Sequence, residues 1–281
     1  MANEQMRENW TVGAEGWVAH RDLFDRELAP FGEAVLERAQ PGPGQRVLDV
    51  GCGTGRVTAG AVARGATAVG VDISPVMIEA AERFVPDASF LVADAQTDDL
   101  AAHGPFDHVV SRFGVMFFED PTEAFANIRR AVAPGGALTF ACWRGLEENA
   151  MFTLGTNVLV EPMDPPPATA APGAPGPMAF ADPDRVRALL GEAGWDDPSV
   201  QPFDAVCDYG RDGTDGVEHR LTLILNTTIG RQAQAQLEPA LGPDGWTALL
   251  DDVRADLRAR MVDGRVQLNG ATWLVTARNP G

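Results

Sequence analysis

Nine consecutive residues, Val47 to Gly55, read Val-Leu-Asp-Val-Gly-Cys-Gly-Thr-Gly, an apolar run that ends in glycines at alternate positions. Such a run is a buried strand, and the glycines after it let the backbone take positive φ and leave out the Cβ atoms that would hold a ligand away. A helix beginning after Gly55 points its free N–H groups into the same space. The spacing narrows the ligand. A dinucleotide fingerprint is G-x-G-x-x-G, whereas Gly51, Gly53 and Gly55 form G-x-G-x-G and Arg56 stands where the third dinucleotide glycine belongs. A pyrophosphate cradle is therefore disfavoured. Taken alone, the loop also reads as a plain strand-to-helix turn, so the rest of the chain has to decide.

From Arg46 to Trp143 strand-like and helix-like stretches alternate, the pattern of βαβ units around a mostly parallel sheet. Strands are predicted at 46–50, 67–72, 89–93, 106–111 and 136–142, with helices at 56–64, 75–84 and 121–133. Ser74 is the N-cap of the second helix and Pro75 its first residue, while Pro134-Gly135-Gly136 breaks the third. A stretch crowded with proline, alanine and glycine, 161–183, reads as a loop or lid. Beyond it come a helix from Asp182-Pro183-Asp184 to about Ala193, a strand at 200–209, helical segments at 214–239 and 244–262, and a last strand at 272–277. The expected organisation is an N-terminal helical cap (1–40), a Rossmann-like core (41–145), a lid loop (146–182) and a C-terminal part (183–281). That last part completes the sheet and carries a helical insertion, 214–262.

The 281 residues are 45% hydrophobic, enough for a sizeable core, and no apolar run reaches membrane length. No basic-then-apolar leader opens the chain, so a cytoplasmic address is expected. Cys52, Cys142 and Cys207 are odd in number and far apart, which suggests neither a disulfide framework nor a metal site. A formal net charge of −18 without a basic stripe makes nucleic acid a poor partner. A small molecule is the expected target, with no membrane partner; oligomeric state, monomer or homodimer, is left open.

With Asp49 ahead of the glycines, the loop resembles motif I of the class I S-adenosylmethionine-dependent methyltransferases, and the order of elements resembles their α/β, three-layer, seven-stranded fold. The resemblance implies S-adenosyl-L-methionine as cofactor, S-adenosyl-L-homocysteine as product, and a last strand antiparallel to the others. Asp72 ends the second strand, where an acid can accept from both hydroxyls of a ribose lying over the loop. Ile73 and Met77, spaced i, i+4, can sandwich an adenine face or simply pack into the core. In the resemblance Asp94 takes the adenine amino group and the N–H of Ala95 meets the ring. Ser111, Arg112 and Phe113 follow the fourth strand on the ligand side of such a sheet, Ser111 toward the cofactor and the other two toward the substrate. Arg112, costly after a buried strand unless paired, holds either a substrate acid or an internal carboxylate. His108 reads as a structural histidine. The stretch Ser111 to Phe118 with Pro121 is similar to the quinone and natural-product enzymes of that family.

Trp10, Trp17, Phe24 and Phe31 recur every seven residues and give the N-terminal region one aromatic face. That face either packs on the core or closes over the cofactor, bringing Trp17, His20 and Arg21 to the pocket. Methyl transfer is an in-line displacement in which the protein mainly orients the nucleophile and excludes water. An acceptor hydroxyl would also need a base: His20 is the first candidate, with Arg112 beside it, and His219 the second. The lid and insertion, through Met163, Met178, Phe180, Leu221, Ile224 and Leu225, are expected to form an apolar substrate wall. Two rival readings stay open: a protein that binds the cofactor without methylating, whether a regulatory module or a cyclase, and an NAD(P)-dependent oxidoreductase.

Overall fold

The computed structural model describes residues 3–211 and 213–281; residues 1, 2 and 212, which fall inside the expected cap and C-terminal part, lie outside them. Strands β1 (Arg46–Val50), β2 (Thr67–Asp72), β3 (Ser89–Val92), β4 (Phe106–Arg112), β5 (Val132–Trp143), β6 (Asp196–Asp208) and β7 (Gln267–Arg278) form one sheet in the order β3-β2-β1-β4-β5-β7-β6. The first five pair in parallel, and β7 runs antiparallel between β5 and β6. An antiparallel strand inserted between fifth and sixth positions departs from the all-parallel dinucleotide order, as the methyltransferase resemblance requires.

Central strands follow from composition. Val47, Leu48 and Val50 are at most 2% exposed, as a parallel strand covered on both faces must be. Each such side chain contributes about 1.5–3 kcal/mol on burial. Helices α3 (Arg56–Ala63), α4 (Pro75–Phe84) and α5 (Pro121–Arg130) connect the parallel strands. Ser74 caps α4 as expected, its hydroxyl accepting from the Met77 N–H at 3.4 Å, and Asp120 caps α5 through the Glu123 N–H at 3.0 Å.

Several boundaries move for identifiable reasons. The predicted break at Pro134-Gly135-Gly136 lies inside β5, where Gly135 takes φ +78° and the register with β4 shifts between Phe106 and His108. The N-terminal cap is two helices, α1 (Glu4–Ala19) and α2 (Arg21–Ala39), hinged at His20. The C-terminal insertion divides differently from the expected pair: α8 (Val217–Leu225) stops at Asn226, and Thr227 caps α9 (Thr228–Ala259) by accepting from the Gly230 N–H at 3.0 Å. Gly242, with φ +69°, kinks α9 between Pro239 and Pro243. The remaining helices are α6 (Thr156–Val160), which falls inside the expected lid loop, and α7 (Pro183–Glu192), capped by Asp182.

Candidate active site

At the carboxyl ends of β1, β2 and β4 lies a cavity of about 530 Å³. Its floor is the glycine loop. Gly51 takes φ +67°, and a Cβ there would fall 2.6 Å from the Gly114 Cα, so the loops after β1 and β4 touch backbone to backbone. Gly53 takes φ +54°, and a Cβ on it would meet nothing within 4 Å, so its bare backbone borders the cavity. Asp72 ties this loop to α4, its two carboxylate oxygens accepting from the Gly53 N–H at 3.0 Å and the Ser74 N–H at 2.9 Å. Each oxygen keeps a lone pair for a further donor. Burial pushes the Asp72 carboxyl above the usual range, against those amide bonds.

Asp49 is 1% exposed and accepts from the Thr58 hydroxyl at 2.6 Å. Burial raises its pKa to about 6, opposed by that bond and by the charge of Arg112. Across the floor Asp94 receives the Asn3 side-chain amide on both oxygens at 3.0 Å, and the same amide reaches Gln96 Oε1 at 3.0 Å. The start of α1 is thus pinned to the end of β3, with the Asn3 and Glu119 main chains and side chains exchanging two further bonds at 2.9 Å.

The opposite wall is aromatic and arginine-rich. Trp17 stacks on Phe24 at 3.8 Å between ring centres and Phe113 stacks on Trp143 at 4.0 Å, all four bordering the cavity. Phe113 holds φ +66°, which turns its ring onto Trp143. Arg112 approaches Asp25 no closer than 3.7 Å, and its buried Nη1 has no hydrogen-bond partner. Behind it Glu27, 5% exposed on the apolar side of α2, takes a short hydrogen bond from the Tyr209 hydroxyl and lies 3.7 Å from Arg220. Burial raises both the Glu27 carboxyl and the Tyr209 phenol and lowers Arg112.

The cavity gathers Trp17, Asp49, Gly51, Gly53, Asp72, Ile73, Met77, Asp94, Ala95, Arg112 and Phe113 from the residues anticipated in the sequence, with Arg21 at its edge. Others lie elsewhere. A Cβ on Gly55 would press on Val85 and Phe90, so this glycine serves packing beneath the loop. The Ser111 hydroxyl donates to the Val50 carbonyl at 2.7 Å and accepts from the Gly114 N–H at 3.2 Å, clamping the two loops from behind. Phe180 is 1% exposed between Phe125 and Phe140, in the core. Met163, Met178, Leu221, Ile224 and Leu225 also stand outside the lining; the lid and insertion contribute Gly176, Leu223, Ile229 and their neighbours instead. His20 sits at the α1–α2 hinge, and His219 turns its Nδ1 to the Tyr209 carbonyl at 3.0 Å. No histidine lines the cavity among the described residues, so neither His20 nor His219 borders it. His108 lies on β4 outside the cavity, and burial lowers its pKa.

Asp25, Glu27 and Arg220 were missed. Glu27 falls three residues after Phe24 and four before Phe31, and Arg220 falls within Val217-Glu218-His219-Arg220-Leu221, so each is a charge on an apolar helical face, a readable oddity. Among the described residues no group of three histidine, cysteine or carboxylate side chains could hold a metal ion, and no helix is long and apolar enough to cross a membrane.

Residues 48–140 match the methyltransferase domain family. Demethylmenaquinone methyltransferase of Renibacterium salmoninarum is 30% identical over 177 residues, which cover 59% of this chain and 73% of the relative. An uncharacterized protein of Mycobacterium tuberculosis is 29% identical over 140 residues, and the chain spans about half the length of such relatives, 49% in this case. A solved Bacillus halodurans structure assigned to the methyltransferases superposes with a TM-score of 0.54 at 17% identity, covering 89% of this chain and 99% of that one. With the sheet order and the glycine loop, these matches place the chain in the class I S-adenosylmethionine-dependent methyltransferases.

Proposed function

We propose that the protein binds S-adenosyl-L-methionine in this cavity and methylates a small apolar or aromatic molecule. The observation that carries the reading is a single cavity with two unlike halves: the bare backbone of Gly53 with Asp72 and Asp94 on one side, stacked aromatic rings on the other. The donor set fits the cofactor. Asp72 would take the ribose hydroxyls on its remaining lone pairs, Asp94 the adenine amine in the place of the Asn3 amide, and Ile73 and Met77 would flank the ring. When bound, the cofactor supplies an electrophilic methyl group on a sulfonium whose leaving group is already activated.

The chain's own task is to orient the acceptor and exclude water. Aromatic walls hold a flat molecule with little freedom, and orientation is worth about 7 to 11 kcal/mol in favourable cases. Helices α1 and α2 cover the cavity from above the sheet ends, with Trp10, Trp17 and Phe24 on their inner face. A proton lost by the acceptor has the carboxylates Asp25 and Glu27 within the same cavity.

Calorimetric titration with S-adenosyl-L-homocysteine and, separately, NADH tests the reading. Binding of the former, weakened roughly tenfold or more in Asp72→Ala through the lost charge-assisted hydrogen bonds, is expected. Binding of NADH alone would return the oxidoreductase reading.

A further inference from the structure

We infer that the molecule taken by the aromatic half of the cavity carries a carboxylate, held by Arg112 and Arg220. This rests on the proposed function, whose acceptor class it makes specific.

The charge pattern comes first. Four arginines line the cavity, Arg21, Arg112, Arg220 and Arg231, beside five carboxylates, Asp25, Glu27, Asp49, Asp72 and Asp94, and of these arginines Arg112 and Arg220 are the ones set against the acids of α2, Asp25 and Glu27. A buried guanidinium costs folding free energy unless its donors are met.

Incomplete pairing is the second observation. Arg112 has only 12% of its side chain accessible and Arg220 only 5%. A guanidinium has five N–H donors in a planar fork suited to a carboxylate. Arg112 is matched by one contact at 3.7 Å, beyond hydrogen-bond length, and Arg220 lies at the same distance from Glu27. Arg220 does donate to the Met151 carbonyl and, at 3.5 Å, to the Tyr209 hydroxyl, but its Nε has no partner, nor does Nη1 of Arg112. Exposed ion pairs of this protein close much better: Arg254 reaches Glu218 at 2.7 and 3.0 Å. A buried Nε without a partner also occurs outside the cavity, at Arg185, but the two loose ion pairs, both at 3.7 Å, belong to cavity-lining arginines, where they are available to a ligand.

Third, the acid nearest Arg220 is already engaged. Glu27 receives the Tyr209 hydroxyl on Oε1, the same oxygen that lies nearest Arg220, so Arg220 shares that oxygen with another donor. An aromatic acid would lay its ring against Phe113 and Trp143 and its carboxylate between the two guanidiniums. Arg231, which lines the same cavity and donates to the Asn226 carbonyl, adds to the attraction.

The test uses the full chain loaded with S-adenosyl-L-homocysteine and titrated with benzoate, 2-naphthoate and 1-hydroxy-2-naphthoate, each against its neutral primary amide. At least one acid is expected to bind roughly tenfold or more tightly than its amide, and Arg112→Gln and Arg220→Gln are each expected to remove that preference, with binding of S-adenosyl-L-homocysteine intact in Arg220→Gln. Arg112→Lys keeps the charge without the fork, guards against a glutamine variant that fails to fold, and should retain part of the preference. Equal or tighter binding of the amides, no binding of any acid, or a preference that survives all three substitutions overturns the inference. Failure of the wild-type protein to bind S-adenosyl-L-homocysteine would instead overturn the proposed function beneath it.

Discussion

Replacing Asp49 by asparagine should make the protein more stable at neutral pH than at acid pH relative to the parent. Asp49 is buried at the end of β1, and its pKa rises from 3.8 to about 6 with the attraction of Arg112 already counted. A carboxyl whose pKa is higher in the folded state holds its proton more tightly there than in the unfolded chain. Its contribution is therefore most favourable below pH 3.8 and is lost as the pH climbs through that value to about 6. Roughly two pH units at about 1.36 kcal/mol each give a loss of about 3 kcal/mol. Asparagine cannot ionise and still offers an oxygen to the Thr58 hydroxyl, which donates to Asp49 at 2.6 Å. Denaturant unfolding of both proteins at pH steps from about 4 to 7 measures the difference, and other titrating groups cancel to first order in the comparison. The variant's relative stability should rise by about 2.5 kcal/mol over that interval, most of the full span. A flat difference would refute the reasoning, because it would mean that the buried carboxylate ionises as freely as in water.

Phe180→Ala should cost about 3–5 kcal/mol in denaturant unfolding while leaving affinity for S-adenosyl-L-homocysteine unchanged, as a core position between Phe125 and Phe140 requires; a loss of ligand affinity at full stability would return this ring to the cavity wall. His20→Ala and His219→Ala should each leave S-adenosyl-L-homocysteine binding within about twofold in calorimetry, since neither ring borders the cavity. Asn3→Ala frees the Asp94 carboxylate, so stopped-flow tryptophan fluorescence should show faster ligand association without weaker affinity; an affinity loss of about tenfold would make the Asn3 amide a ligand contact.

Local chemistry was readable where it alone decides. A proline following a serine starts α4, an apolar run flanked by helices makes β1 a central strand, and Gly53 and Asp72 follow from the motif they belong to. What could not be read depends on which neighbour arrives from far along the chain. Phe180 and Phe113 are both apolar and both buried, and only the packing of the lid on α5 and β5 assigns the first to core and the second to cavity. Gly55 and Gly53 share one motif, yet one turns toward Phe90 and the other toward open space. Arg112 was legible as a residue needing a partner, but its nearest acid, Asp25, sits on a helix 87 residues earlier in the chain and gave no local sign.

The order of strands in space also sets an order in time. Strands β1 to β5 can assemble as their residues leave the ribosome, each beside a strand already made. β6 has no such seat, because its neighbour among the described residues is β7, which begins 59 residues after β6 ends (Asp208 to Gln267). Until β7 is synthesised, β5 shows an open edge and β6 waits as an unpaired strand carrying apolar residues such as Val200 and Cys207. Interrupted translation before β7 would thus yield a chain with an intact glycine loop and a sticky edge, a form that a cell must shelter or destroy.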